Sequence, residues 1–285
     1  MTTAEARQLF RLELQNAYPP REIDAMWRIV LEEVLNYSPV DAVMRENSEV
    51  AGFFPARLRD IIIRLRAAEP LQYILGTARF HGHSLRVTPD TLIPRPETEQ
   101  LVDIIIDREA DRSDLRVLDA CTGSGAIAVS LARALRFPSV TAFDNSRAAL
   151  RVARENANAL KADVTFFEAD LYNFGSAGAL QPVDILVSNP PYITQTEWAS
   201  LEPNVRDHEP QAALIVPDDQ PLKPYEALAG LARELMREKA RIYLEVDPAR
   251  ARDVARLLGQ KGFGNMETLV DFRGKERFVV AQWTD

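Results

Sequence analysis

The apolar positions in the N-terminal part of the chain recur at the spacing of an α-helix. Two stripes occur there, one within residues 23–34 and one within residues 58–65. They consist of Ile23, Met26, Trp27, Val30 and Val34, and of Leu58, Ile61, Ile62 and Leu65. Pro19-Pro20 and Pro39 interrupt the pattern, and Ser38 before Pro39 is typical of a helix start. Because apolar stripes pack against one another, residues 1–70 are predicted to form a small helical bundle.

The hydrophobic pattern changes its period after residue 70. Short β-like pieces at 73–75 and 85–87 flank Gly76 and Gly82, which predicts a hairpin linker over residues 71–90. Beyond this linker, apolar runs alternate with helical patterns. The runs lie at 115–118, 139–143, 164–168 and 183–188, with two more at 266–270 and 277–282. Residues 91–285 are therefore predicted to form an α/β domain with a largely parallel sheet that ends in an antiparallel hairpin.

Composition narrows the class of protein. The 285 residues are 46% hydrophobic, and the single cysteine excludes an intramolecular disulfide and a cysteine-rich metal site. No apolar run has membrane length and none resembles a leader segment, so we expect a cytoplasmic protein without membrane contact. The net charge of −8 argues against broad electrostatic binding of nucleic acid. His81 and His83 lack a further ligand at suitable spacing, so we expect no metal site.

A glycine-containing loop follows the first apolar run of the α/β domain. Residues 119–125 read Asp-Ala-Cys-Thr-Gly-Ser-Gly and precede a helical pattern. Glycines at a strand-to-helix turn let the backbone approach a ligand, and the helix N-terminus favours negative groups. The next run ends in Asp144, nineteen residues past Gly125 (144 − 125), near the spacing of a ribose-binding acid. This pair predicts an adenosine-containing cofactor without separating NAD from other such cofactors.

The tetrapeptide Asn-Pro-Pro-Tyr at residues 189–192 follows the run 183–188. Two prolines cannot extend a strand ladder, so they leave a rigid turn with free carbonyl acceptors. An amide side chain and an aromatic ring beside those carbonyls suit a flat NH₂ group, which brings two hydrogens and a plane for stacking. The alternative interpretation is an ordinary Pro-Pro turn. Asp170, after the run 164–168, similarly either caps a turn or lies at the ligand-binding edge of the sheet.

The combination of loop, acid and tetrapeptide resembles the class I S-adenosylmethionine-dependent amino-methyltransferases. The likeness continues in residues 69–76 (Glu-Pro-Leu-Gln-Tyr-Ile-Leu-Gly) and 92–99 (Leu-Ile-Pro-Arg-Pro-Glu-Thr-Glu). These strings are similar to the release factor glutamine methyltransferases, the HemK/PrmC family. A further match at Glu209-Pro210, and weaker ones at Glu245 and at Asp271 with Arg277, extend the resemblance over residues 69–285.

This resemblance implies a Rossmann-like domain with a seven-stranded, mostly parallel sheet, and S-adenosylmethionine as methyl donor. It implies transfer to the glutamine of the Gly-Gly-Gln motif in class I peptide chain release factors, with the helical N-terminal region as a possible docking domain. The implied cofactor-binding residues are Asp119, Cys121, Thr122, Gly123, Ser124, Gly125, Asp144, Asp170, Leu171 and Asn189. The implied catalytic residues are Asn189, Pro190 and Tyr192, and the implied substrate-binding residues are these three with Pro191, Arg95 and Glu97.

The sequence departs from the family at Cys121, where the first glycine of the loop is usual. A Cβ at this position is expected to crowd the methionine end of the cofactor. Two other targets remain open, a glutamine in a ribosomal protein and the N6 amine of adenine in nucleic acid, because the tetrapeptide suits each. The string at 69–76 favours the release factor, and the acidic charge disfavours nucleic acid.

Overall fold

The computed structural model describes residues 1–50, 52–176 and 180–284. The chain divides into two compact units. One unit comprises Met1–Gly76 with Pro203–His208, and the other comprises Thr77–Glu202 with Glu209–Asp285.

The elements described in the first 95 residues are helices followed by two short strands. In chain order they are α1 Thr3–Leu14, α2 Pro20–Leu35, α3 Pro39–Met44, α4 Phe54–Arg66, α5 Leu71–Leu75, β1 Thr77–Phe80 and β2 His83–Arg86.

From residue 96 onward, helices and strands alternate along most of the chain. They are α6 Pro96–Glu109, β3 Arg116–Ala120, α7 Ala126–Ala134, β4 Ser139–Asp144, α8 Arg147–Leu160, β5 Val164–Glu168, β6 Val183–Ser188, β7 Ile193–Thr194, α9 Gln195–Trp198, α10 Pro203–Arg206, β8 Ile215–Val216, α11 Lys223–Leu235, β9 Met236–Glu245, α12 Ala251–Gln260, β10 Phe263–Val270 and β11 Glu276–Trp283. Two 3₁₀ segments, Leu171–Ser176 and Gln211–Ala213, lie between them.

Two of the N-terminal helices, α1 and α3, begin at side-chain caps, and the helical unit packs around an aromatic centre. Thr2 and Ser38 each form a capping box, so the first backbone N–H groups of α1 and α3 have acceptors. The ring of Trp27 lies 5.4 Å from that of Phe10 and 6.5 Å from that of Phe54. The predicted stripe residues of α2 and α4 are buried except Val34, which is partly buried.

The structure corrects one element of the predicted hairpin. Residues 73–75 form the end of helix α5 rather than a strand, because Leu71 and Ile74 pack into the helical core. Gly76 ends this helix in a left-handed conformation, with φ of 81°. The hairpin pairs β1 with β2, and the two-residue turn at His81 and Gly82 has positive φ at both positions, as a tight hairpin requires.

A seven-stranded sheet forms the second unit. Its strand order is β10-β11-β9-β6-β3-β4-β5, and all neighbouring pairs are parallel except those made by β11. The predicted α/β fold with a mostly parallel sheet is confirmed. Strand β3 pairs with β4 on one side and β6 on the other, so the chain order reverses there. Such a switch point opens a crevice at the carboxyl ends of the strands.

Helices cover the sheet on both faces. Helices α6 and α7 pack on one face through residues such as Leu101, Ile105 and Leu131, and Phe80 of the hairpin joins this core. Helices α11 and α12 cover the other face through residues such as Leu228 and Leu258. Within the part of the chain that is described, no helix is both long enough and apolar enough to cross a membrane.

Candidate active site

An open cleft lies at the carboxyl ends of β3, β4, β5 and β6 and encloses about 1160 Å³ of space, part of it continuous with solvent. Nine of the residues expected at the site line it: Cys121, Thr122, Gly123, Ser124, Asp144, Asp170, Leu171, Asn189 and Pro191. The strand ends thus bring together the glycine loop, which ends at Gly125, and the Asn-Pro-Pro-Tyr segment, which begins 64 positions later (189 − 125).

Asp119 shapes the glycine loop from behind the cleft. It is fully buried, and its Oδ2 accepts hydrogen bonds from the Thr122 hydroxyl at 2.6 Å and from the backbone N–H of Ala128 at 3.1 Å. Burial raises the pKa of this carboxyl to about 7, against the lowering effect of those two hydrogen bonds. Asp119 is not among the lining residues, so its contribution in this structure is to fix the loop.

Asp144 presents a carboxylate at the end of β4. Its two oxygens accept from the backbone N–H groups of Gly123 and Ser146, each at 2.9 Å. These bonds hold the carboxylate in one orientation and leave lone pairs for hydroxyl donors in the cleft. Burial raises the pKa of Asp144, partly offset by those N–H groups. A fixed carboxylate at this edge suits the two hydroxyls of a ribose.

Cys121 occupies a backbone conformation that side chains other than glycine rarely adopt. Its φ is 61°, and it lines the cleft. Burial raises the pKa of its thiol well above the usual range, and the charges of Asp144 and Asp119 add to the effect. The thiol therefore stays protonated at neutral pH and is a poor nucleophile. The same field makes the cleft favourable for a cationic ligand.

The part of the cleft beside the end of β5 combines apolar side chains with the turn that follows this strand. Asp170 accepts from the backbone N–H of Tyr172 at 2.9 Å, so it caps this turn and also lines the cleft. The Lys223 ammonium lies 5.1 Å from the centre of the Tyr172 ring. Leu171 and Phe143 supply apolar surface suited to a planar base. Together with Asp144 and the negative field, this set of residues fits S-adenosylmethionine, which carries an adenosine and a sulfonium cation.

The Asn-Pro-Pro-Tyr segment leaves the sheet where the Ser188 hydroxyl donates to the carbonyl of Ala120 at 2.7 Å. Asn189 is half-buried in the cleft wall, and its Nδ2 donates to the Thr98 hydroxyl oxygen at 3.2 Å. Since the nitrogen is occupied in this way, the Oδ1 of Asn189 remains as an acceptor. Pro190 is buried and, unlike Pro191, does not line the cleft.

Tyr192 is partly buried, and its phenol makes a long 3.4 Å hydrogen bond to Oε1 of Glu245 at the end of β9. Burial raises the pKa of the phenol, and the Glu245 charge raises it further. The phenol is therefore a protonated donor at neutral pH. Tyr192 is absent from the cleft lining in this structure.

Arg95 and Glu97 flank the start of α6. The Arg95 guanidinium forms an ion pair with Glu209, a residue that is 4% exposed and also accepts from the Ile93 N–H at 3.3 Å. Glu97 forms an ion pair with Arg273 at 3.7 Å. Neither Arg95 nor Glu97 lines the cleft; Pro94 and Pro210, the neighbours of the Arg95–Glu209 pair, do.

Sequence comparison places these features in a known family. A release factor glutamine methyltransferase of Bacteroides thetaiotaomicron is 41% identical over 273 residues, covering 95% of this chain and 96% of that protein. One from Deinococcus radiodurans is 36% identical over 264 residues, covering 93% of this chain and 92% of that protein.

The chain belongs to the release factor glutamine methyltransferase family.

Two family models agree with this membership. The PrmC N-terminal domain matches residues 5–76 of this family member, and the methyltransferase small domain matches residues 98–202. Among solved structures, a methyltransferase from Pyrococcus furiosus superposes with a TM-score of 0.53 at 14% identity, covering 81% of this chain and 98% of that one. A T. thermophilus 16S rRNA methyltransferase, solved with AdoMet and guanosine, gives 0.54 at 18% identity, covering 73% and 49%. These two likenesses concern the fold, which is that of class I methyltransferases.

The sequence alone does not indicate that Thr98 contacts Asn189 or that Glu245 contacts Thr98. Thr98 donates to Glu245 at 2.7 Å, and the two residues are 147 positions apart. Both occur in segments that match the family, yet neither has a ligand-binding pattern of its own. Their contact follows from the packing of α6 against β9, which the local sequence does not encode.

Proposed function

We propose that this protein transfers a methyl group from S-adenosylmethionine to the side-chain amide nitrogen of the glutamine in the Gly-Gly-Gln motif of class I peptide chain release factors. The observation that carries this proposal is Asn189, whose nitrogen is engaged by Thr98 so that its oxygen is left for a target N–H in the cleft. The relatives named for this reaction support the choice of target. Such a substrate places the reaction in the cytoplasm.

The bound cofactor supplies an electrophilic methyl group on sulfur. Methyl transfer would join that group to the amide nitrogen with loss of one N–H proton to water, and the demethylated cofactor would leave with the electron pair of its broken bond to the methyl group. An amide nitrogen is a weak nucleophile because its lone pair is delocalised. The task of the protein is therefore alignment and charge placement.

The residues of the tetrapeptide would divide this task. Asn189 Oδ1 and the Pro190 carbonyl would accept the two N–H bonds of the amide and stabilise the positive charge that grows on nitrogen. Tyr192 and Pro191 would hold the amide plane in line with the methyl group. Cys121, Thr122, Gly123, Ser124 and Gly125 would surround the methionine end of the cofactor, above the loop that Asp119 fixes. Asp144 would bind the ribose, and Asp170 with Leu171 the adenine.

The remaining predicted features enter as parts of the same proposal. Residues 1–70 would form a domain that docks the release factor, residues 71–90 a linker, and residues 91–285 the methyltransferase domain. Arg95 and Glu97 would shape the substrate entrance, Arg95 through its pair with Glu209 rather than by direct contact.

The deciding experiment measures label transfer from S-adenosylmethionine to four substrates in parallel. They are a class I release factor, its variant with alanine in place of the motif glutamine, a ribosomal protein with a methylatable glutamine, and duplex DNA. Label on the unmodified release factor alone supports the proposal. Label on DNA, or only on the ribosomal protein, would show that the substrate is a different one. No label on any substrate while the cofactor is bound would refute the proposed activity.

A further inference from the structure

An asparagine side chain has an oxygen and a nitrogen of nearly equal size on one flat group. Turning the amide over exchanges an acceptor for a donor without changing its shape. The proposed reaction requires the oxygen of Asn189 to face the target amide, because a facing NH₂ group would repel the target N–H bonds. Some neighbour has to select this orientation.

The group that contacts Asn189 is the Thr98 hydroxyl, whose single hydrogen already forms a hydrogen bond to another residue. Thr98 donates that hydrogen to Oε2 of Glu245 at 2.7 Å. The Thr98 oxygen therefore turns only lone pairs toward Asn189, and it accepts from Nδ2 at 3.2 Å. If the amide were turned over, its oxygen would face lone pairs, which is unfavourable.

We infer that Thr98 and Glu245 are positioning residues that fix the Asn189 amide with its oxygen toward the target, an inference that rests on the proposed function. Thr98 is 4% exposed and Glu245 is 1% exposed, so water does not replace either partner easily. The second carboxylate oxygen of Glu245 accepts from the Tyr192 phenol at 3.4 Å. One carboxylate thus connects both polar side chains of the Asn-Pro-Pro-Tyr segment.

The donor-to-acceptor direction of these hydrogen bonds depends on whether Glu245 is ionised. Protonated Glu245 is itself a donor, so it can bond to the Thr98 oxygen and free the Thr98 hydrogen for the oxygen of Asn189. The amide then has no preferred orientation. Ionised Glu245 leaves Thr98 a single arrangement. Turnover should therefore rise with pH as Glu245 loses its proton.

Several elements contribute groups around this carboxylate. Burial raises the pKa of Glu245 to about 7; the hydrogen bond from Thr98 and the charge of Arg277 oppose the rise, and the charge of Glu97 adds to it. Arg277, on β11, is held by Asp271, whose Oδ2 lies 3.3 Å from its Nε. Tyr225, on α11, donates to the backbone carbonyl of Glu245 at 3.4 Å. The charge of Arg95 also reaches this site, where it lowers the pKa of Tyr192.

The first test compares Thr98→Val with Thr98→Ser in methylation of the release factor. Valine keeps the shape and loses the hydroxyl, so kcat should fall roughly 10-fold while KM for the release factor and Kd for S-adenosylmethionine change by less than about two-fold. Thr98→Ser retains the hydroxyl and should recover most of the lost turnover. Equal kcat for the folded Thr98→Val variant and the wild type would overturn the inference.

The second test records kcat against pH for the wild type and for Glu245→Gln. The wild type should show a rise centred near pH 7, and Glu245→Gln should lose that rise and remain slower above it. Asp119 also titrates near pH 7, so the inference stands on the difference between the two profiles. Parallel profiles would show that Glu245 acts only on stability, and would overturn it.

A third measurement does not need turnover. In nuclear magnetic resonance spectra of the wild-type protein, the Asn189 side-chain NH₂ signals, assigned by their loss in Asn189→Ala, should show contacts to the Thr98 methyl group. Absence of these contacts above pH 8 would overturn the inference even in a folded, active enzyme. If the wild type methylates no release factor but the contacts are present, the proposed function fails and the positioning of Asn189 stands.

Discussion

Gly125 faces Ala153 so closely that a Cβ added to the glycine would lie 3.1 Å from the Ala153 Cβ and 3.2 Å from its Cα. The contact joins the N-cap of α7 to the backbone of helix α8. Gly125 also has φ of 80°. The glycine at this end of the loop is therefore required by packing as well as by backbone conformation.

We predict that Gly125→Ala lowers the free energy of unfolding by about 2–3 kcal/mol, since it adds both strain and a clash. Gly123→Ala is the matched control: its φ is also positive, but nothing lies within 4 Å of the added Cβ. It should cost only about 1 kcal/mol. Urea denaturation measures both, and equal losses would contradict the packing argument.

Replacement of Cys121 should improve the site rather than damage it. Cys121→Gly removes a left-handed strain of about 1 kcal/mol, which acts on folding. It also removes a side chain from the cleft, so we expect S-adenosylmethionine to bind several-fold more tightly. Cys121→Ala keeps the strain and removes only the sulfur. Calorimetric titration of both variants separates the two contributions; weaker binding by Cys121→Gly would show that the thiol contacts the cofactor favourably.

Glu245 should make stability fall as pH rises. Its pKa is raised from 4.5 to about 7 in the folded protein. The folded state therefore holds a proton that the unfolded state releases between these values, and unfolding becomes easier by about 1.4 kcal/mol per pH unit in that window. The stabilisation is complete below about pH 4 and is lost above about pH 7.

The measurement is the difference between wild type and Glu245→Gln in denaturant unfolding between about pH 5.5 and 8.5. A glutamine side chain at this position has no such proton, so the variant should gain stability relative to the wild type as pH rises toward 7 and keep that gain at higher pH. Asp119, whose pKa is also raised to about 7, is present in both proteins and cancels in the difference. A difference that is flat with pH would show that Glu245 is ionised at all these values.

Arg95→Ala should destabilise the protein through the charge it leaves behind. Glu209 would remain buried without its cation, and we expect a loss of about 2–3 kcal/mol in the free energy of unfolding. Adding Glu209→Gln to the same protein removes the unpaired charge and should restore most of the loss. Thermal unfolding of the single and double variants tests this, and additive losses would argue against a direct pair.

Asn189→Asp keeps the shape of the side chain and introduces a charge. It also removes the Nδ2 donor, so the new carboxylate would face the Thr98 oxygen. We expect turnover to fall on the order of 100-fold or more, with a much smaller change in cofactor binding. Single-turnover rates and equilibrium binding of S-adenosylmethionine distinguish the two, and retained turnover would remove Asn189 from the mechanism.

The sequence predicts the parts of this protein that local pattern determines. The helical stripes and the alternating α/β elements each lie within a short segment, and the structure confirms them. The glycine loop and the tetrapeptide are equally local, and the structure brings both to the carboxyl ends of the strands. The prediction of a strand at residues 73–75 is wrong, because Tyr-Ile-Leu favours strands locally whereas burial in the helical core selects a helix.

What the sequence does not predict are contacts between distant segments. Thr98 meets Glu245, and Arg95 meets Glu209, across more than one hundred positions in each case. Neither pair follows from spacing or composition. The inward orientation of Asp119 likewise depends on the Thr122 hydroxyl and the Ala128 N–H, so its role in holding the loop becomes visible only in three dimensions.

The reversal of strand order at β3 puts different strands on the two sides of the cleft. The strands on one side, β4 and β5, end at Asp144 and just before Asp170, while β6 and β9 on the other side end just before Asn189 and at Glu245. The two sides of the cleft therefore come from separate stretches of the chain, one ending near residue 170 and the other beginning near residue 189, so a substitution on one side leaves the sequence of the other unchanged.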